Sequence, residues 1–250
     1  MKRSLWTASI DTFRCPPWVC PVCNTGAVTM VKDSLVFAET AESLRWHIDE
    51  NWDPDWIQYT FTAWGQCQHS SCNQRFAISG TGGVGPEVGE EGEMQWGDYF
   101  LPAACHPMPS IIGLPDKCPD NVKRELESSF ALFWSHPEAC AGRIRVALEL
   151  LMDHVGVPRE KTDSKGKERL LDLHARIDLY TAGNVEAGTQ LMALKWLGNA
   201  GSHGNAVSKT DLLDAFEVLE HVLLEILDKR SEKVAMLAKK LTEKHSKKKK

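Results

Sequence analysis

The chain is 250 residues long, 42% hydrophobic and 25% charged. This excludes a disordered, collagen-like or fibrous protein and predicts one or two globular domains. The net charge of −5 is unevenly spread: residues 1–119 carry 7 basic and 14 acidic side chains, residues 120–228 carry 12 and 18, and residues 229–250 carry 10 and 2. No stretch approaches the roughly 18 consecutive apolar residues of a membrane span, and Met1 to Asp11 lacks an apolar signal core, so a cytoplasmic protein with no transmembrane helix and no membrane partner is expected.

In chain order, Trp18 to Gly26 reads as strand, knuckle and turn around Cys20-Pro-Val-Cys23. Ala27 to Phe37 is β-branched and partly alternating, Tyr59 to Trp64 alternates, and Arg75 to Ser79 leaves a second knuckle, Cys67-Gln-His-Ser-Ser-Cys72, as a further strand. Two close cysteine pairs brought together complete a tetrahedral four-sulfur site, and reduced cytosolic thiols favour a metal over disulfides. One structural Zn2+ on Cys20, Cys23, Cys67 and Cys72 is expected. His69 and Cys15 are the rival ligands, read as spectators. The acidic insertion Glu39–Trp56 carries Trp46, Trp52 and Trp56. These rings read as packing over a small core, because the neighbouring carboxylates would repel the phosphates of a stacked nucleic acid.

Ser79 to Glu93 is rich in glycine and glutamate and reads as a flexible loop, and Trp96 to Pro119 as an extended, proline-rich segment. Five amphipathic helices follow: Pro119 to about Ser135, His136 to His154, Lys167 to Tyr180, Val185 to Ser202, and a long one opened by the capping-box pattern at Ser208–Asp211 and fraying past Lys229. The fold class expected is therefore α+β: a small β-rich zinc ribbon at 1–80, a Gly/Pro-rich linker at 81–118, an all-α bundle at 119–228 and a basic, helical or frayed tail at 229–250. The tail is a generic handle for RNA, DNA or another polyanion.

Two polar constellations stand out in the helical half. Arg145 and Glu149 have ion-pair spacing on one helix face. Asn199 and His203 are also four apart, in a glycine-rich stretch that lets a backbone or a substrate approach closely.

The run from Phe100 to about Leu227 resembles the domain of unknown function 4145 family. The resemblance rests on the proline-rich lead-in, Pro137-Glu138-Ala139, Ile144-Arg145-x3-Glu149 and Gly198-Asn199-x3-His203. It implies a bacterial protein with a bundle similar to HEPN domains, which pair as dimers and occur in restriction and phage-defence systems. A homodimer is expected on that basis and on the apolar stripe from Leu212 to Ile226, and a defence-system protein is a candidate partner. HEPN ribonucleases place Arg just before the Asn-x3-His segment, where this chain has Gly198. Two functions follow: a zinc-containing binding or regulatory module acting near nucleic acid, or a metal-independent endoribonuclease using His203, Asn199 and Arg145.

Overall fold

The alternation read in Tyr59–Trp64 belongs to a ten-residue strand, β3 (Gln58–Cys67), in the computed structural model, which describes residues 1–89, 92–162, 166–202 and 206–246. Phe61, Ala63 and Cys67 point inward while Thr60, Thr62 and Trp64 face out, as period-two geometry requires. Two short strands, β1 (Val28–Met30) and β2 (Val36–Glu39), share one edge of β3. Its other edge pairs with β4 (Arg75–Val88), and β4 with β5 (Met94–His106), all antiparallel. Two short helices, α1 (Ser4–Thr7) and α2 (Ala41–Trp46), accompany the sheet, α2 starting on a Thr40 hydroxyl that accepts from the Ser43 amide.

Residues 81–118, expected as a linker, contain the second half of β4 and all of β5. Low side-chain bulk there reflects a partner strand rather than a lack of structure. Tyr99 and Phe100 occupy the space beside Gly82 and Gly83 that their own side chains do not fill. In the acidic insertion, Trp46 and Trp56 meet edge to face at 6.2 Å and Trp52 lies against His47 at 4.7 Å. All three indoles are half-buried, so these rings pack on neighbouring rings.

The chain divides into two units, Met1–Ile111 with Phe130–His136, and Ile112–Ser129 with Pro137–Lys250. The short return of Phe130–His136 to the first unit differs from the expected bundle boundary. The reason is an aromatic cluster. Trp6 stacks on Trp18 at 6.2 Å, Trp134 lies 5.4 Å from Trp18, and Phe133 meets Trp6 edge-on. The indole N–H of Trp18 donates to the Leu5 carbonyl and that of Trp134 to the Trp6 carbonyl, so these large apolar groups are buried with their polar atoms satisfied.

The second unit is helical. Its helices are α3 (Asp120–Leu132, whose last residues belong to the first unit), α4 (Pro137–His154), α5 (Leu173–Thr181), α6 (Val185–Ser202), α7 (Lys209–Asp228) and α8 (Arg230–His245). The stripe Cys140, Ile144, Leu148 and Leu151 is buried as its spacing predicts, and so is Leu212, Phe216, Leu219 and Leu223. The α7 stripe is thus used inside the chain, which removes the sequence argument that drew on it for a homodimer. The expected third helix begins later than its pattern suggests. Glu168–Leu170 is instead a strand, β7, paired with β6 (Glu160–Thr162), and Leu170 is exposed. The Asp172 carboxylate then caps α5 by accepting from the Ala175 amide. The capping box at Ser208 forms as read, with Ser208 Oγ accepting from the Asp211 amide and Asp211 accepting from the Ser208 amide. Past Asp228 the basic tail is helical as far as His245. Lys229 adopts the left-handed conformation at φ 49°, closes α7, and a separate helix, α8, begins.

Candidate metal centre

The two knuckles are built alike. In the first, the Asn24 amide donates to the Cys20 carbonyl and the Cys20 amide to the Gly26 carbonyl. In the second, the Asn73 amide donates to the His69 carbonyl and the Cys67 amide to the Gln74 carbonyl. The residue after each second cysteine, Asn24 and Asn73, takes a positive φ near 50°. Asparagine tolerates this conformation better than most residues. These turns aim the four thiols at one point.

The four sulfur atoms lie within 4.8 Å of one another. Cys20 Sγ is 3.8 Å from Cys72 Sγ, and Cys23 Sγ is 3.7 Å from Cys67 Sγ, each contact joining one knuckle to the other. A tetrahedron of sulfurs around a metal with bonds of about 2.3 Å has edges of about 3.8 Å. The cage therefore has the size that such an ion needs, and every position in it is supplied by protein. Amides complete the surroundings: Gly26 N–H donates to Cys23 Sγ at 3.3 Å and His69 N–H to Cys67 Sγ at 3.4 Å. Such N–H donors stabilise sulfur charge in the shell behind the ligands. A Cβ at position 26 would sit 2.3 Å from Cys67 Sγ, so only glycine lets the first knuckle close against the second.

The protonation preferences of two of the thiols differ sharply. Hydrogen bonds from the Thr25 side chain and amide and from the Gly26 amide hold the Cys23 thiol down to about 5, whereas burial pushes the Cys67 thiol up to about 12. Four thiolates at this distance require a cation between them at neutral pH. His69 and Cys15 are outside the cage. His69 Nδ1 pairs with Ser71 Oγ at 2.9 Å, and Cys15 Sγ faces the Val28 carbonyl at 3.8 Å.

In the helical unit, α4 and α6 pack closely. Gly198 is buried, and a Cβ there would lie 2.5 Å from Arg145 Cβ and 3.1 Å from the Ala141 carbonyl. Arg145 in turn pairs with Glu149 at 3.2 Å. Asn199 is half-buried in the last turn of α6. His203 lies outside the described residues. The glycine at 198 is therefore spent on bringing two helix backbones together. Gly198→Arg is expected to destabilise this unit by at least the ~1–3 kcal/mol of an overpacked core, read as a lower melting temperature, and not to restore a catalytic cation.

A polar node that the motif reading passed over joins α5 to α6. Lys195, only 5% exposed, donates from Nζ to His174 Nδ1 at 3.2 Å and sits 3.3 Å from the centroid of the Trp196 ring. His174 Nε2 faces Asp178 at 3.4 Å. With Nδ1 accepting, the ring carries its proton on Nε2, toward the carboxylate. The signal available in the sequence was the four-residue spacing of His174 and Asp178.

Two family models match the chain. Residues 127–248 match a domain of unknown function, DUF4145, and residues 9–104 match another, DUF8608. The second match spans both knuckles and most of the sheet, a likeness absent from the motif reading. No curated protein and no solved structure matches. Among the described residues, no helix is long and apolar enough to cross a membrane.

Proposed function

We propose that this chain is a zinc-stabilised binding module without catalytic activity: a zinc-ribbon-like unit joined to a HEPN-like helical bundle, which contacts a polyanionic partner. The carrying observation is the closed four-cysteine cage. A tetrahedral four-thiolate donor set suits Zn2+, and a site with all four ligands from protein leaves no position for water or substrate, which marks a folding role. The basic helix α8 offers the polyanion contact. The setting in restriction or phage defence rests on the resemblance of the helical half to its family.

The close packing at Gly198 supports the non-catalytic reading. The position that HEPN ribonucleases give to a charge-stabilising arginine is occupied by backbone contact, and loss of such a group commonly costs about 100-fold or more in rate. One observation favours the ribonuclease alternative: Arg145 reaches α6 one residue from Asn199. The test is incubation of the metal-loaded protein with RNA. Intact RNA with both wild type and His203→Ala is the expected result. Cleavage that persists without divalent ions and disappears in His203→Ala would replace the binding module with the ribonuclease.

A further inference from the structure

Helix α8 is a sixteen-residue helix with no buried residue. Val234, Leu237 and Leu241 are 50%, 60% and 61% exposed. Spaced by three and four, they form with Ala238 one apolar stripe, the pattern of a helix laid against an apolar surface. Isolated helices of this length are marginal in water, so an uncovered stripe on one calls for something to lie against it. Lys233, Lys240 and Lys244 run along one border of the stripe. Lys233 has an exposed ion pair with Asp228 at 3.7 Å, of the kind that contributes little.

A second copy of α8 is a poor occupant. The stripe's heptad places Lys233 and Lys240 at flanking positions, while the opposite flank offers Ala238 and His245 and no carboxylate to answer them. The seam positions one heptad either side of Leu237 are Arg230 and Lys244, so two copies would meet like charge to like charge. A nucleic-acid backbone would reward the cations and leave the stripe wet. Nine of the ten cations in residues 229–250 are lysines. Lysine is a compact point charge, without the planar fork that arginine offers to discrete carboxylates. Apolar stripe and lysine border are both satisfied by one kind of surface, a bilayer with anionic headgroups.

We infer that α8 docks, apolar stripe down, on the surface of an anionic lipid bilayer. This deepens the polyanion part of the proposed function by naming the partner. The helix would lie in the interface, its leucines below the headgroups and its lysines among the phosphates.

The test is co-sedimentation of the full metal-loaded chain with vesicles of phosphatidylcholine and phosphatidylglycerol in equal parts, and with phosphatidylcholine alone. Binding is expected to the first only. Leu237→Ser with Leu241→Ser preserves every charge and should weaken binding at least about tenfold. Lys233→Glu, Lys240→Glu and Lys244→Glu together should abolish it. Because α8 contributes nothing to the core, both variants should keep wild-type metal content and melting. Three results would overturn the inference: no binding to the anionic vesicles, binding that the serine variant leaves unchanged, or a dimer in wild type that the serine variant dissociates. Binding to duplex DNA without vesicle binding also overturns the lipid assignment, while leaving the zinc-held module and its polyanion contact standing.

Discussion

Removing the metal is expected to unfold the N-terminal unit. Cys67 is buried on β3, the strand that every other element of the sheet except β5 pairs with, and Cys20 follows Trp18 at the aromatic cluster. Without a cation, the cage is four converging sulfurs with one thiol favouring charge and another resisting it. Structural zinc in small domains contributes on the order of 10 kcal/mol of apparent folding free energy, comparable with the whole stability of a unit of this size. A strong chelator, or Cys67→Ser, should therefore abolish the near-ultraviolet circular dichroism of the clustered indoles. Elemental analysis of the untreated protein should find one zinc per chain. A metal-free protein with the melting curve of the loaded one would defeat the assignment.

Replacing Arg176 should destabilise the helical unit without unfolding it. Its guanidinium is 4% exposed and donates to Asp153 Oδ1 at 2.6 Å, to the Glu149 carbonyl and to the Val157 carbonyl. One side chain on α5 thus ties down the last turns of α4 and the chain leaving it. Arg176→Met keeps the bulk but leaves Asp153 and two carbonyls without this donor. Asp153 is 27% exposed and keeps Arg159, so the loss is that of hydrogen bonds to a charged group, about 1.5–3 kcal/mol, which denaturant titration should detect. The pH dependence has a defined sign. Hydrogen bonding from Arg159, then from Arg176, lowers the Asp153 carboxyl from its ordinary 3.8 to about 2. Its contribution is fully present above pH 4 and is lost as pH falls from about 4 through 2. Asp153→Asn should flatten that acid limb, and an unchanged limb would show that the pair contributes no stability.

What was legible in the sequence is local. The cysteine pairs announce themselves because a knuckle needs its two thiols two to four residues apart, and α4, α6 and the capping box of α7 follow from caps and apolar spacing within a turn or two. The spacing of Asn199 and His203 was legible in the same way, without telling what they do. Only the tertiary structure decided the rest. Gly80–Val88 is a strand because β5, contributed by residues 94–106, supplies its hydrogen bonds and the rings of Tyr99 and Phe100. No window around the glycines contains that partner. Phe133 and Trp134 leave the bundle because Trp6 and Trp18, more than a hundred residues earlier, offer the larger aromatic surface to bury against. Gly198 reads as an opening until α4 is seen to fill it with Arg145 and Ala141. The α7 stripe reads as an interface until the chain's own helices cover it. Periodicity states which face of a helix is apolar; what lies against that face depends on contacts between residues far apart in the chain.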